Sequence, residues 1–259
     1  MIALVLAASL LDAGPSDKLA LRPAADFTII GLAVADNLLT EVFKSSLTRS
    51  QCRICGQPGG IDGWFHDELT GWLVTRETSN TASDVWVYGL LPAGALAASY
   101  TATGSSASEG AGVRAALIMI ESATVAGALV ETSKYLVVRE RPYAAYGHAG
   151  SGGYALDSDS RLSLPSGHTA WATAFGVSVA MEAGIQDSPA APWLWGAAAA
   201  SSVGTGMLRM MAEKHYFFDV LSGAAIGAAC GVAFPLLHRR GSALSVAASG
   251  SSLAVSGAF

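Results

Sequence analysis

The sequence predicts an all-α protein, a helical bundle with five or six transmembrane helices. Of its 259 residues, 51% are hydrophobic and 14% are charged, well below the roughly 25% of charged residues in a typical soluble domain. Several uncharged stretches also reach the length of about 20 residues that a helix needs to cross a bilayer. With a net charge of −5, the chain lacks the basic surplus that neutralises nucleic-acid phosphates, so we expect no nucleic-acid partner.

Six segments are candidate membrane spans. Ala115–Val130 contains Glu121, which should face other helices or water because a charge is costly within a bilayer. Thr169–Met181 is short unless it extends past Glu182. Phe27–Phe43 contains Asp36, Asn37 and Glu41, so it either spans the membrane or lies at its surface. The three segments without any charge are Val85–Ser108, Ser188–Leu208 and Val220–Leu237.

Small residues mark one face of the last candidate span. Gly223, Gly227 and Gly231 are four residues apart, so they form a smooth stripe on a helix, a pattern typical of close helix packing in membranes. Cys230 is interpreted as a small buried hydrophobic residue without chemistry. Residues 241–259 are uncharged and rich in Ser, Ala and Gly, which predicts a linker-like or disordered tail.

The two ends of the chain limit its orientation. Residues 1–13 are a candidate signal peptide or N-terminal anchor, although no Lys or Arg precedes their apolar run. Arg239 and Arg240 follow the last span and favour a cytoplasmic C-terminus. A cleaved signal with five later spans satisfies this orientation, and so does an uncleaved, cytoplasmic N-terminus with six. Residues 14–84 then form an N-terminal helix and a polar segment, and residues 85–240 form the membrane-embedded core.

The polar segment contains the pair Cys52-Arg-Ile-Cys55. A CxxC pair alone fits half a zinc site, a redox pair or a local disulfide. The neighbouring sequence has no second CxxC or His pair that would complete the four ligands of zinc. If the segment is extracytoplasmic, a structural disulfide is the default and two unpaired thiols are the alternative.

Three short clusters of polar residues lie at the ends of candidate spans. In the first, Lys134 and Arg141 are two helical turns apart and point the same way, and Pro142 then ends the helix. Two cations at a membrane boundary suit an anion. Snorkelling of the two side chains toward lipid headgroups would explain them equally well.

The second cluster, Pro165-Ser166-Gly167-His168, opens a helical segment. Free backbone N–H groups at a helix N-terminus bind anions, and glycine lets a ligand approach the backbone closely. His168 would face the same spot. An ordinary helix cap is the alternative interpretation.

In the third cluster, Arg209 is followed by His215 and Asp219, which are four residues apart and therefore adjacent on one helix face. The carboxylate can accept an imidazole N–H and leave the other ring nitrogen free as a nucleophile or base. The alternative is a structural His–Asp pair at a helix start.

Taken in order, Lys-x6-Arg-Pro, Pro-Ser-Gly-His and Arg-x5-His-x3-Asp resemble the three-part signature of the type 2 phosphatidic acid phosphatase superfamily. That superfamily also includes class A acid phosphatases and vanadium haloperoxidases. The resemblance covers residues 134–219, with one departure: the third block usually begins Ser-Arg, and here Leu208 precedes Arg209. It implies that Lys134, Arg141 and Arg209 bind phosphate oxygens, joined by Ser166 and the backbone N–H of Gly167.

The resemblance also implies a histidine phosphatase site of the acid phosphatase and haloperoxidase type. His215 would attack phosphorus to form a phosphohistidine, and Asp219 would orient the ring and stabilise its charge. His168 would protonate the leaving oxygen and then activate water. The three clusters contain no group of carboxylates suited to magnesium, so we expect no metal and no cofactor.

These expectations together describe an integral-membrane enzyme of the bacterial inner membrane. Its substrate would be a lipid-linked phosphate monoester or pyrophosphate, and its active site would lie on the periplasmic face. Two alternatives stay open: a secreted, soluble, non-specific acid phosphatase, and a catalytically weak membrane protein that binds lipid phosphate. The sequence does not identify the lipid or the oligomeric state.

Overall fold

The computed structural model describes residue 14 and residues 17–104, 110–150, 152–241, 244–249 and 252–257. The candidate signal peptide or anchor at residues 1–13 lies outside the described residues. Within the described residues the chain is helical apart from one pair of short strands near the C-terminus, and the all-α core is confirmed.

The described part of the chain contains ten α-helices. A π-helical turn, Trp86–Leu90, joins the fourth helix to the fifth, and two 3₁₀ turns, Gly152–Tyr154 and Ser158–Arg161, precede the eighth. The helices are α1 Pro23–Val42, α2 Lys44–Leu47, α3 Gly60–Leu69, α4 Arg76–Val85, α5 Leu91–Gly104, α6 Ala111–Val137, α7 Pro142–Ala145, α8 Gly167–Ile185, α9 Ala191–Met211 and α10 Phe217–His238.

The C-terminal tail differs from its expected linker-like state. Leu244–Ser249 (β1) and Ser252–Gly257 (β2) pair as antiparallel strands, with Val246 opposite Val255 in the register. Both segments carry Val, Leu and Ala between Ser residues, and branched side chains favour strands. The expectation of a linker-like or disordered tail was based on overall composition, which carries no information about the order of residues that favours these two strands.

All six candidate spans overlap helices. The segment expected at Thr169–Met181 becomes α8 and extends past Glu182, whose buried carboxylate accepts hydrogen bonds from Ser99 (2.8 Å) and Ser178 (2.9 Å). Among the described helices, two are both long enough and apolar enough to cross a membrane, α6 and α10. They are weak evidence for a membrane protein, and five or six spans are not confirmed by length and hydropathy.

Helix α8 lies at the centre of the bundle, in contact with α6, α9 and α10. The glycine stripe of α10 faces α8, as the sequence predicts. A Cβ atom at Gly223 would collide with the carbonyl oxygen of Ser166, and one at Gly227 with the carbonyl oxygen of Ala170. At Gly231 a Cβ atom would meet the side chain of Val177 in the same helix, 2.9 Å from its Cβ. The stripe therefore lets α10 approach the backbone at the start of α8.

The segment before α1 and the residues after α10 meet at one end of the bundle. The backbone N–H of Ala20 donates to the carbonyl of His238 (2.9 Å), and that of Arg240 donates to Lys18 (2.8 Å). The basic residues at this end are Lys18, Arg22, Arg114, Arg239 and Arg240. Such a concentration of basic residues is typical of the cytoplasmic side of membrane proteins.

The polar segment with the CxxC pair covers the opposite end. The Sγ atoms of Cys52 and Cys55 are joined in a disulfide. The backbone N–H of Arg53 donates to the carbonyl of Val138 (2.9 Å), and Ile54 accepts from the N–H of Glu140 (2.9 Å). The disulfide turn is thus bonded to the short connection that follows α6.

Candidate active site

One cavity of about 360 Å³ lies at the end of the bundle where α6 ends and α8 begins. The three sequence clusters converge there although they are far apart along the chain. Ser166 and Asp219 are fully buried in the structure. The other six expected site residues line the cavity, namely Lys134, Arg141, Gly167, His168, Arg209 and His215.

His215 holds its orientation with one ring nitrogen and presents the other to a cavity cation. Nδ1 lies 2.6 Å from the carbonyl oxygen of Ser163, which only accepts hydrogen bonds, so Nδ1 carries the proton. Nε2 therefore keeps its lone pair, 3.3 Å from Nη1 of Arg141. Burial, together with Arg141 and Arg209, holds the pKa of His215 well below its ordinary value. The ring is thus neutral and nucleophilic near neutral pH.

Asp219 lies too far from His215 for the direct hydrogen bond that the four-residue spacing predicts, so that expectation is wrong. Its Oδ2 is 3.8 Å from Nδ1 of His215 and accepts instead from the Ser163 hydroxyl (2.6 Å) and the Tyr216 backbone N–H (2.9 Å). The reason is that His215 precedes α10, whereas Asp219 caps its first turn. Asp219 therefore holds the backbone around His215 and stays near enough to stabilise positive charge on the ring.

Two residues missed by the sequence analysis hold Asp219 in place. Nη1 of Arg139 lies 2.6 Å from Oδ1 of Asp219, and Nη2 lies 2.6 Å from Oδ2 of Asp62 in α3. The guanidinium also lies over the ring of Tyr216, 4.2 Å from its centroid. Arg139 stands inside the first cluster, but no sequence signal pairs it with Asp62.

His168 has a partner that was also missed, Asp84. Nε2 of His168 lies 2.6 Å from Oδ1 of Asp84, and Nη1 of Arg209 lies 3.3 Å from the same oxygen. Partial burial opposes ionisation of Asp84, but its hydrogen bond with His168 and the charge of Arg209 lower the pKa of the carboxyl. Burial and the charge of Arg209 lower the pKa of His168 to about 3, and the hydrogen bond and charge of Asp84 oppose this shift. The ionised Asp84 is thus the group that favours protonation of His168 against its surroundings. In the sequence, Asp84 marked only the boundary of the Val85–Ser108 span.

Each expected cation of the cavity contacts a carboxylate. Nζ of Lys134 lies 2.6 Å from Oε1 of Glu131, and Nη2 of Arg141 lies 3.0 Å from Oδ1 of Asp159. Arg209 contacts Asp84, the carboxylate that also binds His168. Burial works against the charge of Asp159, yet Arg141 holds its pKa below the ordinary range. Three positive side chains therefore surround one small volume.

Gly167 is the point where the backbone meets the cavity. A Cβ atom there would lie 3.3 Å from Oε1 of Glu131 and 3.4 Å from Nζ of Lys134, in the space that a bound anion needs. The hydroxyl of Ser166 is buried and shares a hydrogen bond with Thr169 (3.0 Å). Ser166 thus contributes to the start of α8, and its expected contact with phosphate stays a prediction.

A group of ionisable residues surrounds the buried Glu213, just before His215. Glu213 accepts hydrogen bonds from His66 (2.8 Å), His148 (2.8 Å) and Arg76 (2.6 Å). Burial alone would raise the pKa of Glu213, but these partners outweigh it and lower the pKa to about 2. Because Glu213 is two residues before His215, this group anchors the loop that carries His215.

Comparison with known families agrees with the geometry. A model of the PAP2 superfamily matches residues 115–242, a range that contains all three clusters. No curated protein matches the chain. The match supports phosphatase activity on phosphate esters, and residues 115–242 of this chain form a domain of the PAP2 superfamily, the type 2 phosphatidic acid phosphatases and their relatives.

Proposed function

We propose that this protein is an integral-membrane, metal-independent phosphatase of lipid-linked phosphate monoesters or pyrophosphates, acting through a phosphohistidine. The observation that carries the proposal is the unprotonated Nε2 of His215 beside a cavity lined by Lys134, Arg141 and Arg209. A neutral nucleophile among fixed cations suits attack on an anionic phosphoryl group. The carboxylates nearest the cavity each contact one of these side-chain cations. We therefore expect the positive side chains, and not a metal ion held by those carboxylates, to supply the charge that binds phosphate.

In the first half of the reaction, the cations hold the phosphoryl oxygens and Nε2 of His215 attacks phosphorus. The P–N bond forms as the bond to the leaving oxygen breaks, and Nδ1 of His168 gives that oxygen its proton. Nδ1 of His215 keeps its proton and donates it in a hydrogen bond to the carbonyl oxygen of Ser163. Asp219 stabilises the new positive charge on the ring. In the second half, neutral His168 takes a proton from water, whose oxygen attacks phosphorus and breaks the P–N bond.

The surroundings of the cavity favour a lipid substrate. Leu38 and Tyr88 line the cavity and are 61% and 65% exposed at its edge. Further along the bundle, Leu32 of α1 and Trp193 of α9 are 68% and 82% exposed. Large apolar side chains exposed next to a cationic cavity suit a ligand whose phosphate enters the cavity while its hydrocarbon chain stays in the bilayer.

We further propose that six helices cross the bacterial inner membrane, with the active site on the periplasmic side. The basic end of the bundle, where the segment before α1 meets the residues after α10, supports this orientation because cytoplasmic ends are rich in Lys and Arg. Extraction of membranes with alkaline carbonate should leave the protein in the pellet. Recovery of intact protein in the supernatant would favour the soluble acid phosphatase instead.

Trapping of the intermediate tests the mechanism. With ³²P-labelled p-nitrophenyl phosphate, wild type and His168→Ala should form an alkali-stable, acid-labile phosphoenzyme, because this leaving group needs little protonation. His215→Ala should form none, and Cys230→Ala, which changes a buried residue outside the cavity lining, should still form it. Labelling in His215→Ala, or on His168, would refute the assignment. Phosphate release from phosphatidate, phosphatidylglycerophosphate, polyprenyl pyrophosphate and lipid A phosphate then identifies the substrate.

A further inference from the structure

A second group of ionisable side chains lies at the basic end of the bundle and takes no part in the proposed reaction. Asp26 of α1, Glu121 of α6 and His238 of α10 are 5%, 1% and 4% exposed. Their three nearest ligand atoms all lie within 4.8 Å of one another. Glu121 is about 20 Å along α6 from Lys134 at the helical rise of 1.5 Å per residue. The group is therefore distinct from the cavity that holds His215.

One ring nitrogen of His238 faces two carboxylates. Its Nδ1 lies 2.8 Å from the carbonyl oxygen of Phe234, so Nδ1 carries a proton. Nε2 lies 3.2 Å from Oδ1 of Asp26 and 3.5 Å from Oε2 of Glu121. In the neutral ring these three atoms would direct lone pairs at one another, so the arrangement requires a positive charge between them, either a proton on Nε2 or a metal ion.

Glu121 shows the same need for a cation. Both of its carboxylate oxygens are buried and have no hydrogen-bond partner among the described residues. A buried carboxylate without a partner is costly, and in a membrane helix such a residue usually marks a functional site. The other oxygen of Asp26 is held by the backbone N–H of Arg22 (2.6 Å), which leaves its Oδ1 free to face the group.

The two distances from Nε2 to the carboxylate oxygens fit a specific kind of cation. Zinc binds imidazole nitrogen and carboxylate oxygen at about 2.0–2.2 Å, so two ligands of a tetrahedral site lie about 3.3–3.6 Å apart. The two contacts of Nε2, 3.2 Å and 3.5 Å, are close to this range. A metal-bound histidine also typically donates its other N–H to a backbone carbonyl, as His238 does to Phe234.

We propose that Asp26, Glu121 and His238 bind one divalent transition metal of the zinc class, which joins α1, α6 and α10 at this end of the bundle. The nitrogen ligand favours zinc over magnesium or calcium, which prefer oxygen alone. A cavity of about 280 Å³ borders all three side chains and gives an ion and a coordinating water a route to the site. The role is structural, since the catalytic residues lie at the other end of the helices.

Metal content and thermal unfolding of the detergent-purified full chain test the proposal. After dialysis against Zn²⁺ and removal of loose metal, elemental analysis should find one zinc per chain, and Zn²⁺ should raise Tm. Glu121→Gln keeps the size of the side chain but removes its charge, so it should lose both the zinc and the Zn²⁺-dependent rise. Asp26→Asn should behave in the same way.

His148→Ala is the matched control, because His66, His148 and Glu213 are the other group of described residues with suitable ligand atoms. This variant should keep its zinc. Zinc retained in Glu121→Gln, or lost in His148→Ala, would overturn the proposal. Wild-type protein that holds no zinc and whose Tm does not respond to Zn²⁺ would also overturn it, and a proton would then be the positive charge of the group.

Discussion

Replacement of Asp84 by Asn removes the negative charge next to His168 and leaves the shape of the side chain nearly unchanged. Two unit charges 4 Å apart interact by about 4 kcal/mol at a protein surface and by about 1 kcal/mol in bulk water. Because the Asp84 side chain is 41% exposed, we expect an intermediate loss of about 2 kcal/mol in stabilisation of protonated His168. This corresponds to a decrease of roughly 30-fold in the rate of a step that needs the acid.

The dependence on the leaving group separates this effect from a general loss of phosphate binding. Asp84→Asn should slow release of phosphate from a lipid or alkyl phosphate by the full factor, and from p-nitrophenyl phosphate by much less. Ser83→Ala is the control, because the Ser83 hydroxyl contacts Arg209 (3.0 Å) and would affect both substrates equally. Equal losses for Asp84→Asn on both substrates, or no loss on either, would refute the reasoning.

Three further predictions concern anion binding in the cavity, the disulfide and Glu213. Vanadate should inhibit competitively and EDTA should leave phosphate release unchanged well below the unfolding temperature, because side-chain cations bind the phosphoryl group; a requirement for added magnesium would contradict this. Alkylation without reductant should label neither Cys52 nor Cys55, as the mass of the intact protein will report; labelling of both would exclude the disulfide. The pKa of Glu213 is lowered from 4.5 to about 2, so its ion pairs stabilise the fold above pH 4.5 and lose this contribution as the pH falls toward 2. Glu213→Gln should therefore lower Tm strongly at pH 7 and weakly at pH 3, and equal effects at both pH values would contradict this origin.

The features that the sequence predicted well are those with a short local pattern. The start of α8 at Gly167 and the glycine stripe of α10 each follow from spacing within one or two turns. The expectation that Lys134 and Arg141 share one helix was wrong, because α6 ends at Val137 and Pro142 begins α7 instead of ending a helix. The burial of Glu121 against other helices also follows, because a charge in an apolar helix has few acceptable surroundings. The three clusters located the cavity and six of the residues that line it.

The features that were missed depend on contacts between distant segments. Asp84 and His168 are 84 residues apart, and Asp62 and Arg139 are 77 apart, so no local pattern connects them. The direct hydrogen bond expected at Asp219 failed for a different reason. The four-residue spacing assumed one continuous helix, whereas the helix begins only after the nucleophile.

The carboxylates that contact the cavity cations have a consequence for selectivity. Before substrate arrives, Lys134 and Arg141 already have anionic partners in Glu131 and Asp159, so an incoming phosphate must compete for them. The net gain from exchanging one anion for another is small, and free inorganic phosphate should be held only loosely. A substrate with a hydrocarbon chain adds burial of apolar surface to this exchange, at about 0.8 kcal/mol per CH₂ group. Internal competition of this kind would release the product quickly and discriminate against small soluble esters.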